Sequence, residues 1–183
     1  MDAHINSLCI TAFLEMRRIS QIRHLLSLDA TKTLVSAFIL SRLDYCNSLL
    51  AGLPAADAKL DRLQRIMNNA ARLVLRKRKR DHVTPLLMTL HWLPIKARIT
   101  YKIATLCYRS LHDDSAPSYL SSLLKPHVPT RNLRSADAGH LVVPRIKLNA
   151  FGKRAFIYTA PSIGTLCPCL SAFPPLSFPS SPL

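Results

Sequence analysis

Glycine is scarce in this chain, with four among 183 residues. Few positions are therefore free to take positive φ, which argues against a turn-rich β-sandwich or barrel. Acids are scarce too: ten Asp/Glu stand against 25 Lys/Arg, for a net charge of +15. No stretch of about 18 residues is both apolar and free of charge and proline, so no membrane-spanning helix is expected. Asp2, His4 and Asn6 interrupt the start, and no secretory signal is read there. The five cysteines, at 9, 46, 107, 167 and 169, are odd in number and scattered, unlike a disulfide framework. The expectation is an intracellular protein, not a secreted one.

What the chain does have is apolar mass and a lopsided charge. Hydrophobic residues make up 49%, enough for one good core. Residues 1–75 hold nine Lys/Arg and six Asp/Glu, a balance of +3. Residues 76–154 hold sixteen and four, a balance of +12, and residues 155–183 carry no charge. Such a field attracts phosphate polyanions or anionic surfaces and says nothing about fold.

Apolar residues recur at three- and four-residue steps through the first two thirds of the chain. Ile5, Leu8, Ala12, Met16, Ile19 and Leu26 predict a first helix over 3–26, with Arg17, Arg18 and Arg23 off its stripe. Ser27 or Asp29 can cap a second helix, with Leu34, Val35, Phe38, Ile39 and Leu43 on its apolar face. Gly52 and Pro54 stop it. A third helix is predicted from Ala55 to Lys79, with Leu60, Leu63, Met67, Ala70 and Val74 as its seam. Thr84-Pro85 predicts a short helix over 84–90, the threonine capping and the proline at the first helical position. Pro94 opens a fifth helix, 94–111, with Ile95, Ile99, Ile103, Leu106 and Leu111 inward. "APSYLSSLL" gives a short sixth. Trp92 reads as a core plug at a helix junction, and Cys9 and Cys107 as small hydrophobes. Beyond Lys125 the period is lost. Two β-like runs, 141–143 and 155–159, sit in a proline-containing basic arm. From Pro161 the chain is Pro/Ser/Leu/Phe-rich and is expected to be disordered.

The densest charge is "RKRKR": Arg76, Lys77, Arg78, Lys79 and Arg80. As the last turn of the third helix, these cations would complement the carbonyl end of its dipole. A solvated helix end and a nuclear-import address are two readings. A phosphate contact is the third. It fits best with the cations downstream: Lys96, Arg98, Lys102, Arg109, Lys125, Arg131 and Arg134.

Catalytic constellations are hard to find. Asp113-Asp114 has the composition of a two-metal site, but it lies in a turn after a helix with no third carboxylate near in sequence. Cys167-Pro-Cys169 has one intervening residue and no second pair, unlike a zinc site. The seven histidines show no HxH or HxxxH spacing. No phosphate loop or nucleophile elbow is present. No catalytic residue, no metal, no cofactor and no small-molecule substrate is expected.

The order of the segments resembles the reverse transcriptases of LINE-type (non-LTR) retrotransposons, in the jockey and chicken-repeat group. "AFLEMRRISQIRHLLSLDATKTLVSAFILSRLDYCNSLLAGLP" (12–54) is similar to the segment that follows the catalytic palm in that family. "LQRIMNNAARLVLRKRKRDHVTPLLMTLHWLPIKARITYKIATLCYRSLH" (63–112) continues it. "APSYLSSLL" (116–124), "TRNLRSAD" (130–137), "LVVPR" (141–145) and "FGKRAFIYTAP" (151–161) complete it. "LDYCNSLL" and "LHWLP" are its most specific wordings. The chain departs from the family at the extra acids of Asp113-Asp114 and after "TAP", where the text turns low-complexity. The aromatic-Ala-Asp-Asp motif that holds the family's metals would lie upstream of Met1.

The resemblance implies the thumb and C-terminal region of a reverse transcriptase without its palm. A thumb grips template–primer RNA/DNA through the backbone, for which helices and positive charge suffice. The expected fold is mainly α: a three-helix bundle over 1–79, a second helical group over 80–125, a basic arm over 126–160 and a tail over 161–183. The expected role is non-catalytic nucleic-acid binding, or association with an intact reverse transcriptase. The alternatives are a helical scaffold for another protein and a non-functional genomic remnant.

Overall fold

The computed structural model describes residues 2–54, 57–113, 116–127, 140–147 and 152–166. Helices α1 (Asp2–Ile22), α2 (Leu28–Val35), α3 (Ser41–Asp44), α4 (Ala58–Leu75), α5 (Val83–Leu90), α6 (Ile95–His112), α7 (Ser118–Ser121) and α8 (Phe156–Leu166) follow in order. A π-helical turn, Ser36–Leu40, joins α2 to α3, and a 3-10 turn, Asn47–Leu50, follows α3. Among the described residues the one sheet pairing is an isolated antiparallel bridge between Pro126 and Leu141. The fold is mainly α, as the periodicity predicts. It divides into two compact units, Met1–Ile99 and Thr100–Leu183. The division expected at residue 79 falls within the first unit, because α5 packs on α4.

The first unit is built around α4. Its seam of Leu60, Leu63, Met67, Ala70 and Val74 is buried as expected, joined by Ile66 and Ala71. Helix α1 lies along it and buries Ile5, Cys9, Ala12, Met16 and Ile19. Each buried aliphatic side chain of this kind contributes about 1.5–3 kcal/mol. Helix α2 packs on both. Ser27 is its cap, with the Ser27 hydroxyl accepting from Ala30 N–H at 3.2 Å. The apolar face of this second helical run differs from the expected one: Leu40 is buried, whereas Phe38 is 45% exposed. The π turn widens the helix there and rotates the following residues. Neither composition nor period announces it.

Helix starts show the same mixture of agreement and shift. Asp57 caps α4, its carboxylate accepting from Lys59 N–H at 2.8 Å. Helix α5 begins at Val83 with His82 as cap residue, not at Thr84. Pro85 is therefore the third helical residue, where its missing N–H is still one of the four that a helix leaves unpaired. Pro94 precedes α6, and Gln64 of α4 accepts from Ile95 N–H at 2.9 Å, fixing that start. Trp92 is 7% exposed, the plug that its place in "LHWLP" predicts.

In the second unit, Ile103 and Cys107 of α6 are buried with Leu124, Leu141 and Ala160. Leu106 is only half-buried and Leu111 is 41% exposed. The inward stripe of α6 runs in steps of four and three through Ile95, Ile99, Ile103, Cys107 and Ser110, rather than through these two leucines. Two expectations fail here. The β-like run at 155–159 lies in and just before helix α8, and the expected tail begins inside that helix. Thr159, Ala160 and Pro161 are buried, and burial outweighs the weak helix preference of Ile, Tyr and Thr. The run at 141–143 makes only its single bridge, with Val142 N–H donating to Lys125 O at 2.8 Å.

Arg23 is the largest departure from the sequence reading. Placed off the apolar stripe, it is nevertheless 8% exposed. Its Nε donates to Leu73 O at 3.2 Å, its Nη2 to Val74 O at 2.7 Å, and its Nη1 to Leu26 O at 2.9 Å. One guanidinium thus caps the carbonyl end of α4 and holds the loop after α1, which ends at Ile22, four residues before the expected Leu26. Burial first, and then the neighbouring Arg76 charge, push this group below the ordinary arginine value.

The shortage of glycine has a visible consequence. Cys46, Arg76 and His91 take positive φ of 53°, 52° and 55°, each beside a helical segment where glycine is the usual residue. The strain is offset by backbone hydrogen bonds: Lys77 N–H donates to Arg72 O at 3.0 Å and Trp92 N–H to Leu87 O at 2.9 Å.

Two outcomes follow. Replacing Arg23 with Met keeps the aliphatic stem and leaves three carbonyls without their charged donor. Urea unfolding should show a loss of about 3 kcal/mol, and Arg23→Lys should recover less than half of it, since an ammonium cannot serve three diverging acceptors. Burial pushes the Cys107 thiol up to about 11, so near neutral pH iodoacetamide should alkylate the exposed Cys46 and spare Cys107 in the folded chain. The sign of the pH dependence is fixed by the same shift. Stability resting on the neutral thiol is complete below 9.0 and falls as pH rises toward about 11, because the unfolded chain ionises first.

Candidate nucleic-acid interface

Helix α4 ends at Leu75, not at Lys79. The five cations are consequently not its last turn. Arg76 turns the chain through its left-handed conformation, and its Nη2 donates to Arg23 O at 3.0 Å. Residues 78–81 close a turn: Asp81 N–H donates to Arg78 O at 3.1 Å, and the Asp81 carboxylate accepts from Arg78 N–H at 2.8 Å. Arg72, one helical turn before Arg76, donates to Asp81 O at 3.1 Å and ties this turn back to α4. The run is therefore a folded corner carrying five exposed side chains.

Beside that corner lies a shallow groove of about 560 Å³. Ser20, Arg23 and His24 line it from the end of α1, and Asn69, Arg72 and Leu73 from α4. Arg76, Lys77 and Lys79 complete it. No carboxylate is among the lining residues. The ion pairs Arg18–Glu15, Lys59–Asp2 and Arg98–Asp44 use no groove cation. Among the described residues no acid lines the groove or pairs with its cations.

The sequence-predicted cations divide accordingly. Arg76, Lys77 and Lys79 meet in the groove, while Arg78 and Arg80 are exposed on the corner without lining it. Lys96 is exposed on α6 and lies outside the groove. Arg98 is corrected: it does not project freely. It donates to the Asp44 carboxylate at 2.5 Å and to Leu93 O at 3.0 Å, with its side chain 17% exposed. It fastens α6 to α3. In the second unit, Lys102 and Arg109 are exposed, seven residues apart and so on one face of α6, and Lys125 is exposed as well. Arg131 and Arg134 lie outside the described residues.

Six groove residues were not read from the sequence as part of any site: Ser20, Arg23, His24, Asn69, Arg72 and Leu73. Arg72 carried a signal, a cation one turn before the basic run. Arg23 was read as surface, and what decides its role is the proximity of two helix ends, which only the fold supplies.

Among the described residues no group of three His, Cys, Asp or Glu is placed to hold a metal ion, and no helix is long and apolar enough to cross a membrane. Asp113 N–H donates to Arg109 O at 2.8 Å, continuing the α6 pattern by one residue, and Asp114 lies outside the described residues.

No family model, curated protein or solved structure matches this chain. The candidate interface is defined by its geometry and its charge.

Proposed function

We propose that the chain binds the sugar–phosphate backbone of a nucleic-acid duplex without catalysing a reaction on it, in the manner that its resemblance to a reverse-transcriptase thumb implies. The observation that carries this reading is the uncompensated basic groove with its folded corner of five cations. Backbone recognition needs positive charge on a rigid frame and no base-reading side chains. Here the frame is α1 and α4 locked by Arg23, and the charge stands at their joined ends. Charge of this kind releases counterions from each phosphate that it contacts, so affinity falls with salt. A nuclear location is consistent with the run and is part of the proposal.

A second reading has its own observation. Ile10, Phe13 and Leu14 are 62%, 48% and 52% exposed and adjacent on α1. Such a patch suits a protein partner, among them an intact reverse transcriptase or a scaffold client.

The two readings separate in a salt series. Replacing Lys77, Arg78, Lys79 and Arg80 with Gln removes four exposed charges and spares Arg76, whose side chain holds the corner. On the proposed reading, affinity for a DNA or RNA–DNA duplex drops, and the slope of log affinity against log salt shrinks by roughly one per lost contact. Unchanged affinity and slope would leave the run a solvated corner or an import signal.

A further inference from the structure

We infer that the groove is a discrete seat for one phosphate group, in addition to being part of a diffuse positive face. This deepens the nucleic-acid reading above and rests on it for the source of the phosphate.

Helix ends present an apparent objection. The groove lies at the carbonyl ends of α1 and α4, and such ends repel anions. The hydrogen bonds remove the objection. Leu73 O and Val74 O accept from Arg23. Arg72 O accepts from Arg76 N–H and Lys77 N–H. Ser20 O accepts from Arg23 N–H at 3.4 Å and Ile22 O from Leu25 N–H at 3.0 Å. These terminal carbonyls are turned to partners. What remains is cationic.

The cations also differ in rigidity, as a seat requires. Arg23 is fixed by three carbonyls. Arg72 is held by Asp81 O and by Asn69 Oδ1 at 3.4 Å, and its Nε is buried with no acceptor. That is a donor in the groove wall whose demand a phosphate oxygen would meet through a small rotation of the side chain. Lys77 and Lys79 stand at the rim on flexible stems and supply point charges. Asp81, the acid that closes the corner, spends its carboxylate on Arg78 N–H. A rigid guanidinium wall under flexible lysine ammonium groups suits a phosphate, whose several oxygens can accept from different cations at once.

Ser20 offers the decisive handle. It lines the groove and is exposed on α1, so Ser20→Asp inserts a negative charge while removing no cation. Thr33→Asp, on the exposed side of α2, makes the same change in net charge outside the groove. The full chain is titrated with inorganic phosphate, followed by the amide shifts of Ser20, His24, Arg72 and Lys77, and with a short DNA duplex bearing 5′-phosphate or 5′-hydroxyl ends. The expected result is saturable phosphate binding and about tenfold weaker binding of both probes by Ser20→Asp. Thr33→Asp should change affinity less than twofold. Lys77→Gln with Lys79→Gln, both outside any helix, should reproduce the loss and guards against a fold effect of Ser20→Asp. Equal affinity for the two duplexes assigns the seat to an internal phosphodiester, and preference for the phosphorylated ends assigns it to a terminal phosphate. If duplex binding is strong but Ser20→Asp matches Thr33→Asp, the seat is overturned and the nucleic-acid reading survives. If phosphate saturates the groove while the duplex fails to bind, the seat survives and the nucleic-acid reading falls.

Discussion

The first unit depends on one buried guanidinium. Arg23 leaves solvent to meet three backbone carbonyls, two from the end of α4 and one from the loop after α1. A buried charge is costly unless its donors are satisfied, and breaking such an arrangement from one side is more costly still. The contact therefore does two things. It closes α1 onto α4 at the end away from the chain's start, and it sets where the chain must leave α4. Arg76 completes the arrangement by donating to the backbone carbonyl of Arg23 itself. Arg76 grips the backbone of Arg23 and Arg23 grips the backbone just before Arg76, although their charges repel, and the basic corner of residues 76–80 follows from that grip.

The core was legible because burial has a period. The seam of α4 and most of the stripe of α1 could be read from spacing, since a 3.6-residue repeat leaves few arrangements for Leu, Ile and Met. The free, buried Cys9 and Cys107 were legible for the same reason, and Trp92 from its place at a helix junction. The π turn at Ser36–Leu40 was not, because one extra residue in a turn alters which side chains face inward without altering the composition. Helix α8 was missed because Ile157, Tyr158 and Thr159 favour strands locally, while burial in the second unit decides in favour of a helix.

The candidate site was legible as charge and not as shape. Counting cations located the run at 76–80 and proposed Arg98 beside it. Geometry separates these residues: Arg98 fastens two helices, whereas Arg76, Lys77 and Lys79 face a groove that also holds Ser20, His24 and Arg72. A side chain's partner decides whether its charge is available, and partners come from distant parts of the chain. The end of α4 was misplaced by four residues for a related reason. The usual stop signal is glycine, this chain has four in all, and an arginine takes the left-handed position instead.

On the proposed reading, fixed geometry, more than net charge, lets this corner hold phosphate. Arg23→Lys tests it most directly, because the substitution keeps the charge and loses the three-carbonyl cap. Duplex affinity of this variant is measured against the wild-type chain at matched salt and at a temperature where both are folded. A several-fold loss of affinity at unchanged net charge is the predicted result. Equal affinity would show that the positive field alone attracts the polyanion, and that the groove formed around Arg23 has no part in holding it.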